Sequence, residues 1–262
     1  MNHFELLGKI VTDIRIAVAL STILPVGPQT PANDGEIARA SWALPVAGLL
    51  VGLAGAMIYS LARMTGLTAG PAAMLAVAAT ILITGAIHED GLADTADGFG
   101  GGRTPDRKLD IMRDSRIGTY GACALILSVA LRWSALAAIG TPGSVAVALS
   151  VSHAAGRAVL PMFMWLVPPA RSDGLSAGAG QPSSQSALIA VGLGMFCLIF
   201  GLGPSGAIIG VILLLLAGLI MGWLTMRHVA GQTGDILGAM EQIGEIIIVL
   251  TAAALLQTEP HP

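Results

Sequence analysis

The sequence predicts an all-α protein, a polytopic integral membrane bundle of six to eight transmembrane helices. Of its 262 residues, 54% are hydrophobic and 11% are charged, whereas soluble domains average roughly 25% charged residues. Two apolar runs, ALIAVGLGMFCLIF and SGAIIGVILLLLAGLIMGWLTM, follow one another with only residues 201–204 between them. Such runs are typical of membrane spans. The 34 glycines also suit helices that pack closely in lipid.

Seven apolar stretches are candidate spanning helices, although some fall short of the roughly 20 residues that a span needs. We interpret residues 1–262 as a single membrane-embedded catalytic domain, without an internal repeat. In chain order the stretches are Trp42–Leu61, Gly70–Ile87, Thr119–Ile139, Ser144–Val167, Ser186–Phe200, Ser205–Met226 and Ile243–Leu256.

The N-terminal segment FELLGKIVTDIRIAVALSTILPVG has helical spacing but is less apolar than these stretches. It interleaves Lys9, Asp13 and Arg15 with its apolar residues. We therefore predict an interfacial or re-entrant helix here rather than a span.

The two cysteines, Cys123 and Cys197, lie inside apolar runs. Neither a disulfide framework nor a CxxC metal site can be inferred from them. We expect both to be small, buried apolar side chains.

One polar segment, from about residue 88 to residue 118, interrupts the apolar chain. From Glu89 to Arg116 it carries seven of the sixteen acids and five of the thirteen bases. Loops rich in Arg and Lys lie on the cytoplasmic side of a membrane. We therefore predict that this segment is a cytoplasmic active-site loop.

Three aspartates in this segment, Asp90, Asp94 and Asp97, have the spacing i, i+4, i+7. On a helix these positions lie within about 60° of one another, so three carboxylates share one ridge and repel each other. A hard divalent cation such as Mg²⁺ would stabilise them. Gly91 leaves one flank bare, where we expect a phosphate to approach. Glu89 points elsewhere, and we expect it to face solvent. The alternative is a solvated helix end paired with nearby arginines.

The basic half of the segment predicts a phosphate-binding helix. RTPDRKLDIMRDSRIGTYG reads as a helix beginning near Pro105, with Thr104 as its cap. Arginine binds phosphate oxygens in bidentate fashion. Carboxylates for a metal beside bases for phosphate indicate a site that handles a diphosphate. For each base alone, a topology signal or a lipid headgroup contact stays open. The candidate bases are Arg107, Lys108, Arg113 and Arg116.

Two further polar islands lie in apolar sequence. His153 and Arg157, at i and i+4 in a candidate span, are functional candidates because ionisable groups are costly there; a structural hydrogen bond between helices is the alternative. In GQTGDILGAMEQIGE, the Gly-Asp pair predicts a turn that presents Asp235, and Glu241 and Glu245 share a helix face. Asp235 either completes the metal site, orients a hydroxyl or caps a helix.

HEDGLADTADGFGGG followed by IMRDSRIGTYG resembles the cobalamin synthase family of adenosylcobinamide-GDP ribazoletransferases. STILPVG (21–27), GR (156–157), GLSAG (174–178) and GQTGDILGAMEQIGE (231–245) also match, in the family's order. The resemblance implies a Mg²⁺-dependent, multi-pass enzyme of the bacterial inner membrane. Such an enzyme would join adenosylcobinamide-GDP to α-ribazole or α-ribazole 5′-phosphate and release GMP, a late step of cobalamin biosynthesis. We expect no nucleic-acid partner, and assembly into a homo-oligomer is left open.

Together with this resemblance, the residues suggest specific roles. Asp90, Asp94 and Asp97 would hold Mg²⁺ on the diphosphate, and Arg113 and Arg116 would stabilise the leaving GMP. Asp114 or Asp235 would accept the proton of the ribazole hydroxyl. The remaining substrate-binding candidates are His88, Lys108 and Arg157, and His88 is also a less favoured general base.

Three other classes of membrane protein are alternatives. CDP-alcohol phosphotransferases share the opening DTADG (94–98) but need an Ala-Arg pair that is missing after it. Prenyltransferases would need a second aspartate-rich motif, and the single Asp235 is a poor substitute. An ion-coupled transporter would explain buried carboxylates but predicts repeated halves.

Overall fold

The structure is a computed structural model that describes residues 3–26 and 34–256, and it is helical, with no β-strand in those ranges. This confirms the all-α prediction. Gly27, the last residue of the STILPVG motif, lies outside the described residues. In chain order the α-helices are α1 (His3–Ser21), α2 (Asp34–Ala40), α3 (Leu44–Met64), α4 (Ala69–Thr84), α5 (Ile87–Gly101), α6 (Pro105–Met112), α7 (Thr119–Ile139), α8 (Pro142–Ala158), α9 (Leu160–Leu166), α10 (Leu175–Ala179), α11 (Ser184–Val229) and α12 (Gly234–Leu256).

In the described part of the chain, five helical stretches are long and apolar enough to cross a membrane, or six if the bent pair α4 and α5 is one span. The five stretches are Gly35–Met64, Thr119–Ile139, Pro142–Leu166, Ser184–Val229 and Gly234–Leu256. Helix α1, which we predicted to be interfacial or re-entrant, is not among them. These stretches confirm a polytopic membrane bundle.

Helix α11 contains two spans rather than one. Its 46 residues would extend about 69 Å at 1.5 Å per residue, more than twice the roughly 30 Å hydrocarbon core. The helical backbone is broken at Gly203, where φ is 72°, and Pro204 follows. A side chain at Gly210 would meet Leu198, so the two halves fold back on each other. The sequence predicted this division.

A sharp bend joins α4 to α5, and the charged segment begins directly after it. The two helix axes differ by 88°, and Gly85 and Ala86 both adopt left-handed backbone conformations, with φ of 63° and 58°. Alanine is costly in that conformation, so the surrounding structure must hold it. Ile23 is fixed against the bend, because its backbone N–H donates to the carbonyl of Ile83 at 2.9 Å.

Helices α8 and α12 form the centre of the bundle, and glycines allow their close contacts. In the apolar window of Pro142–Leu166, 72% of residues are buried, against 22% in that of Ser184–Val229. A side chain at Gly48 or Gly52 of α3 would overlap the backbone of α8, and one at Gly156 of α8 would lie 3.1 Å from the Glu241 carbonyl of α12. The glycines therefore set how closely these helices approach.

We expect Gly52→Ala to lower the free energy of unfolding by about 1–3 kcal/mol, because its methyl group would collide with the Leu149 carbonyl of α8. Gly192→Ala in the interior of α11 is the matched control, since its methyl group would meet nothing within 4 Å. Both changes gain helix propensity, so the difference between them isolates the collision. Chemical unfolding in detergent measures it, and equal stabilities would contradict a tight α3–α8 contact.

The expectation that both cysteines are buried is wrong. Cys123 is exposed and Cys197 is partly exposed. Both lie on helices with many outward-facing apolar side chains, such as Ile126 and Phe200. In a membrane protein an apolar run faces lipid as readily as the protein core, so an apolar environment in the sequence does not imply burial in the fold.

Candidate active site

Three carboxylates lie near one another where α5 packs against the start of α12. Asp90 and Asp94 lie on α5, Asp235 lies in the first turn of α12, and Asp94 is acted on electrostatically by Asp90, Asp235 and Asp97. Asp90 also acts on Asp235. Neither Asp90 nor Asp94 forms an ion pair with any described residue. The fold thus gathers negative charge, and in the described structure only Asp235 of these three has a cation nearby, Arg171 at 3.7 Å.

Gly91 allows α5 and α12 to pack closely enough to bring these carboxylates together. The expectation that a phosphate approaches along its bare flank is wrong. A side chain at Gly91 would lie 2.7 Å from the Asp235 carbonyl and 3.2 Å from the Cα atom of Gly238. The bare flank of α5 is therefore filled by the backbone of α12. It brings Asp235 to the aspartate ridge, which the spacing along the sequence could not reveal.

The third aspartate of the ridge, Asp97, has backbone partners. Its carboxylate accepts hydrogen bonds from the N–H groups of Gly118 at 2.7 Å and Gly121 at 2.9 Å, and the residue is buried. Asp97 therefore ties the start of α7 to α5 and supplies the acceptor that a helix N-terminus requires. The role of Asp97 as a metal ligand stays a prediction. A carboxylate in that role would bind the ion while it also accepts the two backbone hydrogen bonds.

The chemistry of the aspartate site fits a hard cation. Carboxylate oxygens are the ligands that Mg²⁺ prefers, and the ion usually keeps several waters and takes only one or two carboxylates. Among the described residues, the one group of three whose ligand atoms all lie within 4.8 Å of one another is elsewhere, His153, Glu241 and Glu245, and no three of the aspartates approach that closely. Glu241 and Glu245 already pair with arginines, whereas Asp90 and Asp94 have no cationic partner among the described residues.

The predicted phosphate-binding bases do not form one patch. Helix α6 begins at Pro105, and Thr104 accepts from the N–H of Arg107, as predicted. Lys108 is buried and donates to the carbonyl of Phe99 at 2.5 Å, so it caps the end of α5. Arg113 pairs with Asp173 at 2.7 Å, and Arg116 pairs with Asp114 at 2.6 Å. The guanidinium groups of Arg107, Arg113 and Arg116 are exposed, so three of the four predicted bases remain able to bind phosphate.

Asp114 is a poor candidate for the proton acceptor. Its side-chain hydrogen bond with Arg116 lowers the pKa of the Asp114 carboxyl to about 2. A carboxylate with so low a pKa takes up a proton weakly near neutral pH. Of the two proton acceptors that the sequence proposed, Asp235 is the better placed, because it lies beside Asp90 and Thr233 donates to it at 3.2 Å.

Arg171 and Asp173 were missed by the sequence analysis. They lie in the loop between α9 and α10, where Nη2 of Arg171 is 3.7 Å from Oδ2 of Asp235, and Nε is 3.9 Å from Oδ1 of Asp173. The only signal was their position just before GLSAG, a motif that matched the family. Their distance along the chain from the aspartates concealed the contact.

A second polar cluster lies deep in the bundle, and it contains two of the predicted substrate-binding residues. Arg157 is 1% exposed, and its Nη1 lies 2.5 Å from Oε1 of Glu241. The Nδ1 atom of His88 is 3.4 Å from Nη2 of Arg157, and that of His153 is 3.0 Å from Oε2 of Glu245. This is the environment of structural ion pairs between α5, α8 and α12. Substrate binding by His88 and Arg157 stays a prediction.

Glu89 belongs to this buried cluster, so the expectation that it faces solvent is wrong. It is 6% exposed, and its carboxylate accepts from Nη2 of Arg132 at 3.0 Å. Arg132 also donates to Glu245 at 3.1 Å. Sequence reasoning missed Arg132, although a lone arginine in the apolar α7 segment could have suggested a buried partner. The ion pairs therefore join α5, α7 and α12.

The structure has a cavity beside the aspartate site and a separate apolar groove. One, of about 520 Å³, lies between the end of α1 and the α4–α5 bend, with Thr22, Thr84 and Asp90 in its wall. The other, of about 570 Å³, is an almost wholly apolar groove between α8, α9 and the two halves of α11, which includes Phe163 and Trp223. The first places Asp90 at the edge of a space large enough for a small molecule.

The chain matches the family model described as cobalamin-5-phosphate synthase over residues 13–253. A protein of Bradyrhizobium diazoefficiens named adenosylcobinamide-GDP ribazoletransferase is 63% identical over 250 residues, 95% of this chain and 96% of that protein. Proteins of the same name from Mesorhizobium japonicum and Azorhizobium caulinodans are 49% and 41% identical, over 95% and 97% of this chain and 96% and 99% of their own lengths. No solved structure matches the chain. The extent of these matches means that the chain belongs to the cobalamin-5-phosphate synthase family.

Proposed function

We propose that this chain is an adenosylcobinamide-GDP ribazoletransferase. The observation that carries the proposal is 63% identity over 95% of the chain to a relative of that name. In this reaction a hydroxyl of α-ribazole, or of α-ribazole 5′-phosphate, forms a bond to the phosphorus attached to cobinamide. The bond from that phosphorus to the GMP oxygen breaks, and GMP leaves.

We propose Mg²⁺ as the cofactor, held by Asp90 and Asp94, with Asp97 or Asp235 as further ligands. When bound, the ion would neutralise charge on the diphosphate. The support is the chemistry of the donors: Asp90 and Asp94 are carboxylates without a cationic partner in the described residues, beside a third carboxylate on α12. Gly91 supports the arrangement by letting the two helices approach.

The other residues of the site would bind phosphate and move one proton. Arg113 and Arg116 have exposed guanidinium groups and would stabilise negative charge on the departing GMP. Asp235 would accept the proton of the ribazole hydroxyl, because it lies beside the aspartate ridge and keeps a hydrogen bond from Thr233 that orients it. A hydroxyl deprotonated at this point is the nucleophile that the reaction needs.

We also propose that the protein is a multi-pass protein of the bacterial inner membrane, with residues 88–118 on the cytoplasmic side. The support is the concentration of bases in this segment, since Arg103, Arg107, Lys108, Arg113 and Arg116 all lie in it. A cytoplasmic site would face the compartment that supplies nucleotides.

The direct test is to incubate membranes that contain the chain with adenosylcobinamide-GDP, α-ribazole and Mg²⁺, and to measure nucleotide release. We expect GMP and a cobalamin product in equal amounts, and neither without the ribazole acceptor. Release of CMP from a CDP-linked alcohol in place of GMP would indicate a phosphotransferase of the alternative class. If no nucleotide is released from either donor, the proposal is wrong.

A further inference from the structure

Arg171 is fixed at the edge of the aspartate site by backbone contacts. The N–H of Ala170 donates to the Gln232 carbonyl at 2.9 Å, and the N–H of Gln232 donates to the Pro168 carbonyl at 2.8 Å. A side chain at Gly231 would lie 2.5 Å from the Ala170 nitrogen, so the loop and the α11–α12 turn touch directly. These bonds hold the loop that carries Arg171 against the beginning of α12.

The guanidinium of Arg171 has unused donor capacity. Its distances to Asp235 and Asp173, 3.7 Å and 3.9 Å, permit attraction but exceed those of a hydrogen bond. Its Nη1 is buried and has no hydrogen-bond partner in the described structure. Arginine has five N–H donors in a planar fork that matches two phosphate oxygens. The Nε and Nη2 atoms, which face the two carboxylates, form no hydrogen bond in the described structure, so an oxyanion that binds them would displace no hydrogen bond of Arg171.

Asp173 connects this guanidinium to a second one. Nη2 of Arg113 donates to both carboxylate oxygens of Asp173 at 2.7 Å, while Oδ1 of the same carboxylate faces Arg171. The Asp173 side chain is 66% exposed, so it can return to water at little cost. Its carboxylate occupies the position between two arginines that a phosphate group of a ligand would favour.

We propose that Arg113 and Arg171 form a two-arginine phosphate clamp, and that Asp173 holds its place until a ligand phosphate displaces it. The clamp takes a phosphate of a nucleoside diphosphate, because Arg171 also lies beside Asp235 of the aspartate site. A ligand that bridges the clamp and a cation at that site must carry at least two anionic groups. The identity of the nucleotide rests on the proposed function; the clamp itself rests on the geometry.

The test is equilibrium binding of Mg²⁺-GDP to the purified full chain in lipid nanodiscs, measured by calorimetry. We expect Arg171→Ala to raise the Kd about tenfold or more through the loss of charge-assisted hydrogen bonds, and Arg171→Lys to raise it less. We expect Asp173→Asn to lower the Kd about threefold, because a competing anion is removed. Arg103→Ala is the control, since Arg103 is exposed and has no ion pair among the described residues; its Kd should not change.

Two results would overturn the clamp: an unchanged Kd in Arg171→Ala, or a higher Kd in Asp173→Asn, which would make Asp173 a support of the loop. Lack of Mg²⁺-GDP binding by the unaltered chain would overturn it as well. Because binding needs no turnover, the two proposals fail separately. If the Kd values change as expected but no GMP is released from adenosylcobinamide-GDP, the clamp is supported and the enzymatic function is contradicted. Normal GMP release together with an unchanged Kd in Arg171→Ala would support the enzymatic function and contradict the clamp.

Discussion

We expect Asp94→Asn to lower the rate of GMP release by about 100-fold or more. The amide keeps the shape of the side chain but removes the charge that would hold a divalent cation, an interaction of several kcal/mol, and each 1.36 kcal/mol is about tenfold in rate. The same change should not destabilise the protein, because Asp94 is surrounded by Asp90, Asp97 and Asp235. Relief of their repulsion makes the variant as stable as the parent or more so.

The matched control is Asp106→Asn, which changes an exposed aspartate in the first turn of α6. It should release GMP at the rate of the unaltered chain. Rates are measured across a Mg²⁺ titration together with thermal unfolding of each variant. Undiminished turnover in Asp94→Asn at every Mg²⁺ concentration would remove Asp94 from the site. A large loss of stability would make it a structural residue.

Arg132→Met should be the most destabilising change outside the site, with a loss of about 3–5 kcal/mol in the free energy of unfolding. Arg132 is 2% exposed and bridges Glu89 of α5 to Glu245 of α12. Its removal takes the arginine away from two buried carboxylates, and of these only Glu245 keeps another partner, His153 at 3.0 Å. A buried charge without a partner carries a large desolvation penalty. Chemical unfolding in mild detergent measures the loss.

Two further variants show whether unpaired charge is the cause. Arg107→Met removes an exposed arginine and should change the stability by less than about 0.5 kcal/mol. The triple change Arg132→Met, Glu89→Gln and Glu245→Gln neutralises the cluster and should recover much of the stability, as happens when buried ion pairs are replaced together. If the triple variant is no more stable than Arg132→Met, the loss is one of packing rather than of charge.

Structural features that depend on nearby residues in the chain were predicted correctly. The division of α11 at Gly203 and the capped start of α6 at Thr104 were both predictable, because helix ends and breaks depend on neighbouring residues. The pair His153 and Arg157 was also visible as i, i+4 neighbours, and the structure places their side chains 3.2 Å apart. Their partner Glu241, in contrast, lies on another helix more than eighty residues later.

Glu89, Gly91 and Arg171 mark where the sequence is insufficient. Helical spacing correctly placed Glu89 off the aspartate ridge. It did not predict that Glu89 would form a buried ion pair with Arg132. Gly91 looked like an opening and is a helix contact. Arg171 lies just before the GLSAG motif, but that position did not indicate a contact with the aspartates. In each case the deciding neighbour comes from another helix or loop, and no periodicity within one segment encodes that.

The sequence by itself determined the membrane class, the helical spans, the aspartate ridge of α5 and the family, because these depend on composition, spacing and contiguous motifs. Only the tertiary structure decided which charges are paired in the interior and which remain available. It placed Asp235 beside Asp90, set Asp97 against the start of α7 and brought Arg171 to the edge of the site. The physical reason is that desolvation and charge pairing depend on distances in space, and those distances are fixed by how glycine-lined helices pack against one another.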